Sequence, residues 1–208
     1  YNAESGGFNR LEFTEYDIAL DAVSDHPGRQ RLEKMTSGRY LGEVTRRLAQ
    51  AGSGECGLAW LDSCPALRDL DGLSSQDVAL FLSDESSDLS VIENWLSQKA
   101  PGVATAIGER HFLREAAVIA SGRAATLVAA TYAGFLRRID PSHARIHTIG
   151  VNGSLYEKMP GFAAAIRQSL TGKGDWDESQ VKFRVVEEAP LRGAAIAAAM
   201  AETDGGRR

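Results

Sequence analysis

The sequence predicts an α/β domain in which helices far outnumber strands, and three observations carry that reading. Apolar residues recur at steps of three and four along several long stretches, the rhythm of helices with one buried face. Only two segments, Arg145–Val151 and Val181–Val185, read clearly as strands, with a strand end conceivable before Gly6-Gly7. The composition, 43% hydrophobic and 25% charged over 208 residues, is that of an ordinary globular domain. Strands too few for their helices read as a lobe cut from a larger sheet.

Residues 1–14 read as a strand end and a loop around Gly6-Gly7. Tyr16, Ala19, Leu20 and Val23 form one face of a short helix, which His26-Pro27-Gly28 ends. From Gln30 to Ala51, Leu32, Met35, Tyr40, Leu41, Val44 and Leu48 predict one amphipathic helix. Gly38 and Gly42 inside it each cost about 1 kcal/mol against alanine. They point to a close backbone approach or to a later helix start. A loop is expected at Ala51-Gly52-Ser53-Gly54, then short helices at Ser75–Leu82 and Ser90–Gln98. Pro101-Gly102 breaks the chain, and a long helix runs from about Ala104 to Ile139. Pro160 suits the first turn of the next helix, whose inner face is Phe162, Ile166 and Leu170. Val181, Phe183 and Val185 alternate as a strand does. Gly193–Ala201 reads as a small-residue helix, and the domain is expected over 1–202 with a frayed tail at 203–208.

The net charge of −5 comes from 23 basic and 28 acidic residues, with the basic ones scattered. That argues against nucleic acid as a partner. No apolar run approaches the ~20 residues of a membrane helix, so no membrane insertion is expected. Cys56 and Cys64 are too few for a disulfide scaffold, which favours a reducing cytoplasm. Tyr1-Asn2-Ala3-Glu4 lacks the basic and apolar regions of a signal peptide, and the missing initiator Met predicts a start inside a longer protein.

Several motifs read more simply than they look. Gly52-Ser53-Gly54-Glu55-Cys56-Gly57 spells a dinucleotide fingerprint, and Asp77 follows at 20 residues, yet a helix precedes it where a strand is required. A surface turn is expected there. Thr171-Gly172-Lys173-Gly174 lacks the spacing of a phosphate loop. His26, His111, His143 and His147 show no metal-ligand spacing, so no metal site is expected on side chains.

A set of ordered segments is more specific. It comprises Asn2-Ala3-Glu4-Ser5-Gly6-Gly7-Phe8, then His26-Pro27-Gly28-Arg29-Gln30, then Glu33-Lys34-Met35-Thr36-Ser37-Gly38-Arg39-Tyr40-Leu41-Gly42-Glu43. Arg123-Ala124-Ala125-Thr126-Leu127, Gly153-Ser154-Leu155-Tyr156 with Pro160 and Phe162, and Gly193-Ala194-Ala195 complete it. In order and spacing, across nearly the whole chain, this resembles the C-terminal half of a eukaryotic-type hexokinase or glucokinase. The family patterns are NTEWGxFG, NPGxQxxEKMxSGxYLGE, RAAxL and DGSLYxxHPxF.

The resemblance implies a helix-rich lobe of the actin-like ATPase (ribonuclease H-like) fold with a small mixed sheet. It implies ATP-dependent phosphorylation of glucose or a related hexose at the 6-hydroxyl, with Mg²⁺ held mainly through the nucleotide phosphates. Glu4 and Glu33 match the two sugar-binding carboxylates, and Asn2 assists. Ionised carboxylates only accept, so two of them suit a ligand that presents several hydroxyls. Gly38, Arg39, Gly153 and Ser154 fall where the family meets nucleotide. Arg123 is expected to tie the long helix to carbonyls or a carboxylate.

Departures are also present. Ser5 stands for a family Trp, Asn152 for Asp, Met159 for His and Ala79 for Thr, while Ala189-Pro190-Leu191 replaces a Gly-Ser-Gly beside the adenosine pocket. Proline and leucine add bulk there, and proline removes an N–H. No catalytic residue is assigned in this chain. The family's DxGGT loop and its general-base Asp have no counterpart here, so the N-terminal small domain is an expected partner and the segment alone is expected to be inactive. The alternative reading is a non-catalytic relative that senses sugar or scaffolds a partner.

Overall fold

The computed structural model describes residues 4–56, 64–172, 176–188 and 191–198. A 3-10 turn at Ser5–Gly7 leads to α1 (Glu15–Val23), α2 (Arg31–Thr36), α3 (Gly38–Cys56), α4 (Pro65–Arg68), α5 (Ser75–Leu82) and α6 (Ser90–Lys99). The long α7 (Ile107–Ile139) is followed by β1 (His147–Val151), α8 (Ser154–Lys158), α9 (Phe162–Arg167), a π-helical turn at Gln168–Gly172, and β2 (Val181–Val185). Residues 191–198 form α10, exposed along its length. The expected tail at 203–208 lies outside the described residues.

The lobe is built around α7, which packs against α2, α3, α5, α6 and α9. Its small residues Ala117, Ala120, Ala124 and Ala125 are buried and let the neighbouring helices approach closely. Against the sequence expectation, α7 is by length and composition apolar enough to cross a membrane. Its inner face lines the core of this domain, with Leu113 and Ala117 fully buried.

Local chemistry explains the short helices. Thr14 and Asp17 form a capping box on α1, and Ser74 and Asp77 form one on α5. Asp77 Oδ1 also accepts the Trp95 indole N–H at 2.7 Å, while Trp95 meets Phe81 edge-on at 4.9 Å. Those contacts fasten α6 to α5.

The sheet is small, as expected, but parallel rather than mixed. β1 and β2 pair from His147↔Val181 to Val151↔Val185. Parallel strands require a crossover, here α8, α9 and the π-helical turn. Residues 4–14 hold only the 3-10 turn and no strand. The long helix starts at Ile107 rather than Ala104. Pro160 stands between α8 and α9, and Gly161 at φ +73° heads α9.

The helix expected over Gln30–Ala51 is two helices, broken at Ser37, whose backbone is extended (φ −90°, ψ 151°). The apolar rhythm crosses the break because α2 buries Leu32 and Met35 just as α3 buries Leu41 and Val44, although only the latter two belong to the main core. Gly42 answers to close approach: a Cβ there would lie 2.1 Å from the Leu73 carbonyl oxygen. The expected loop at Ala51–Gly54 is helical. A Cβ on Gly52 would lie 2.2 Å from Phe112 Cζ, so this glycine is a helix-packing contact rather than part of a turn.

Candidate functional site

Two clefts gather the residues that the sequence singles out. The first, about 540 Å³, is walled by Glu4, Ser5 and Gly6 on one side, by Gln30, Glu33 and Thr36 on a second, and by Val128, Thr131 and Tyr132 of α7 on a third. Glu4 and Glu33, 29 positions apart in sequence, thus border one space, and both are exposed to it. Two of its residues adopt the left-handed backbone that side chains disfavour: Glu4 at φ +43° and Gln30 at φ +50°. Such strain persists only where surrounding contacts over-determine it. A side chain at Gly6 would crowd Gln30 Oε1 and Glu33 Cβ, each 3.2 Å from its Cβ position.

Buried ion pairs brace this cleft. On α2, Glu33 faces the cleft while the next residue, Lys34, turns inward and is buried. Lys34 Nζ donates to Asp21 Oδ1 at 2.5 Å and to the His26 carbonyl at 2.6 Å. Gly28 N–H donates to Asp21 Oδ2 at 2.8 Å, with Arg31 Nη2 at 3.4 Å. Burial pushes the Asp21 carboxyl up, but Lys34 and Gly28 outweigh it and hold it below the usual carboxylate range. Arg123 on α7 grips Asp17 of α1 in a fork, at 2.7 and 2.6 Å. Burial raises Asp17 too, and the bonds from Arg123 and Thr14 overcome it and lower its pKa. The expected structural tie of Arg123 to a carboxylate is therefore present, and α1, α2 and α7 are locked together around the cleft.

The second cleft, about 390 Å³, is bordered by Gly38 at the start of α3, Ser75 and Gln76 at the start of α5, and Ser154 and Lys158 of α8. The first amides of a helix lack intrahelical partners and carry partial positive charge. The starts of α3 and α5, the Ser154 hydroxyl and the Lys158 ammonium thus make a cleft suited to an anion. A Cβ on Gly38 would meet nothing closer than Leu155 at 3.8 Å, so packing does not demand this glycine.

Not every candidate joins these clefts. Arg39 turns to Asp25, 2.5 Å away on an exposed surface, and does not border the Gly38 cleft. Gly153 heads α8, and its N–H donates to Glu157 Oε1 at 3.3 Å. Asn152 Nδ2 donates to the Val186 carbonyl at 2.9 Å, a bond that an ionised Asp could not make. Asn2, Ala189 and Pro190 lie outside the described residues, and Leu191 is exposed. Among the described residues, no group of three or more His, Cys, Asp or Glu side chains could hold a metal ion. Cys64 is a buried free thiol whose pKa burial raises.

Some cleft residues carried no role in the sequence reading. Gln30 borders the carboxylate cleft with an amide that both donates and accepts. It sits two residues past the Pro27-Gly28 turn, which was the available signal. Ser75, Gln76 and Lys158 have none, because they reach the second cleft from separate segments.

The hexokinase family model matches residues 1–200. The chain is 31% identical over 204 residues to hexokinase-7 of Oryza sativa subsp. japonica, covering 95% of this chain and 44% of that protein. It is 33% identical over 214 residues to hexokinase-1 of Saccharomyces cerevisiae, covering 97% of this chain and 42% of that protein. It spans well under half the length of these relatives. A hexokinase crystal structure superposes with a TM-score of 0.75 at 23% identity, covering 88% of this chain and 40% of that one. The Schistosoma mansoni hexokinase, solved in complex with glucose, gives 0.72 at 26% identity, covering 88% and 42%. Both carry the actin-like ATPase fold, and the present lobe shares it. With a family match over almost its entire length and a fold that agrees, the chain belongs to the hexokinase family.

Proposed function

We propose that this chain supplies the sugar-binding wall and the nucleotide-facing wall of a sugar kinase, which moves the γ-phosphoryl of ATP to the 6-hydroxyl of glucose or a related hexose. The observation that carries this is the meeting of Glu4 and Glu33 in one cleft that Gln30 also borders. Two acceptor-only carboxylates and one amide can take hydrogen bonds from several hydroxyls at once. Bonds to charged groups are worth about 1.5–3 kcal/mol each, and a site built this way rejects an analogue that lacks a hydroxyl. Asn2 is proposed as a further amide in that set.

The phosphates are proposed to lie in the second cleft, against Gly38, Ser154 and the α3 start, with Gly153 at its edge. Its lining includes Lys158 and no carboxylate, which suits a phosphate chain. Mg²⁺ fits only as an ion carried by those phosphates, where it would neutralise part of their charge. Arg39 keeps a nucleotide role only by leaving Asp25. In the transfer the sugar oxygen forms a bond to the γ-phosphorus, the bond to the β-bridging oxygen breaks, and the hydroxyl proton passes to a base. We assign that base, and the small domain closing over the sugar, to residues outside this sequence. We place the protein in the cytoplasm on its low cysteine content.

A second reading, a sugar sensor without phosphoryl transfer, draws on the Asn152 amide, which is committed to the Val186 carbonyl where the family has an acid. Separate calorimetric titrations of the full protein with glucose and with ATP decide between the two. Binding of both supports the kinase. Glucose alone supports the sensor, and no glucose binding overturns both readings.

A further inference from the structure

We propose, resting on the nucleotide reading above, that Lys158 is the cation that meets the donor's phosphates in the second cleft, and that Arg39 has no such part. Of the described residues that border this cleft, Lys158 alone is charged. It is exposed, and no described residue forms an ion pair or hydrogen bond with its ammonium. The acids beside the cleft residues in sequence are already engaged and do not compete for it. Glu157 Oε1 accepts the Gly153 N–H at 3.3 Å, and Asp77 accepts from the Ser74 N–H at 2.8 Å and from the Trp95 indole at 2.7 Å.

Three elements converge at Gly38. A Cβ placed on it, at the start of α3, would lie 3.8 Å from Leu155 of α8 and 3.9 Å from the Ser75 hydroxyl oxygen of α5. Ser154 and Lys158 are four positions apart on α8 and so share one face of it. A phosphate chain laid against Gly38 and Ser154 therefore has the Lys158 stem one helical turn away. An ammonium on a flexible stem can follow phosphate oxygens without a fixed fork geometry. Arg39 leaves the same turn of α3 in another direction. Its guanidinium pairs with Asp25 at 2.5 Å and lies 5.4 Å from the centre of the Tyr40 ring, and it does not border the cleft. An exposed cation attracts an anion through solvent, so salt screens that attraction. A salt-dependent donor affinity is the signature of this role.

The experiment titrates the full protein with ATP by calorimetry, at low and at high ionic strength. Lys158→Met keeps the stem and removes the charge. It is expected to weaken ATP about tenfold at low ionic strength, the loss of one charged hydrogen bond, and by a smaller ratio at high ionic strength. Lys158→Arg should keep most of the affinity. Arg39→Met should cost less than Lys158→Met. If ATP binds and Lys158→Met leaves its affinity as it was, or weakens it equally at both ionic strengths, Lys158 does not hold the phosphates. An Arg39→Met loss as large as that of Lys158→Met overturns the assignment as well. If the unaltered protein fails to bind ATP at all, the nucleotide reading is what fails.

Discussion

The carboxylate cleft and the Gly38–Ser154 cleft are built in different ways. The first stands on buried charge: Lys34 with Asp21 and Arg123 with Asp17 fix three helices around Glu4 and Glu33. The second is framed by helix starts and short side chains from α3, α5 and α8, and its neighbouring Arg39 is engaged elsewhere. A ligand read hydroxyl by hydroxyl needs its acceptors held within fractions of an ångström, and buried ion pairs supply such anchors when both partners are satisfied. A phosphate chain is held by a field from several dipoles and tolerates a looser frame.

The largest effect should come from breaking a brace. Arg123→Met leaves the Asp17 carboxylate buried and short of its main partner, and should cost about 3 kcal/mol of stability, measured by urea denaturation. Ser154→Ala in the other cleft should change stability by less than about 0.5 kcal/mol. Equal losses would erase the contrast between the clefts.

Next comes the ligand itself. In the full protein, Glu33→Ala should weaken glucose at least about tenfold, the loss of one charged hydrogen bond, read as KM or calorimetric affinity. An unchanged value removes the sugar assignment of this cleft.

Acid sharpens the same comparison by a smaller amount. Asp17 and Asp21 both have pKa values lowered in the folded protein. Their contribution is therefore complete above the unfolded carboxylate value of about 3.9 and is lost as pH falls through the lower folded values. The unfolding midpoint should hold between about pH 5 and 8 and drop in stronger acid. Asp21→Asn should be less stable at neutral pH and lose less on acidification; a parallel curve would mean that Asp21 is not one of the groups responsible. The smallest effect is expected at Arg39→Ala, which removes an exposed pair with Asp25 and should alter stability by less than about 1 kcal/mol.

Elements whose burial is periodic were legible in advance. α5 matches its expected span, and α1, α6, β1 and β2 lie within a residue or two of theirs. The break at Ser37 was not legible, because α2 and α3 each bury an apolar face and the rhythm carries across the gap. The two glycine surprises have one cause. The atoms that exclude a side chain at Gly42 and Gly52 belong to Leu73 and Phe112, 31 and 60 positions onward. At the candidate site, the motif around Glu33 marked that residue, and the 3-10 turn at Ser5–Gly7 brings Glu4 to it. Its place beside Gly38 suggested a phosphate contact for Arg39, and the chain could not show that Asp25, 14 positions earlier, pairs with it in the folded lobe.

By itself, the sequence determined the family and the helix-rich lobe and marked two acidic residues as candidates, because local periodicity and a long ordered motif are written residue by residue along the chain. Only the tertiary structure decided that those acids share a cleft and that Lys34 and Arg123 brace the helices around it. Those are relations among segments up to 106 positions apart, and it is the packing around α7, not any local pattern, that makes them neighbours.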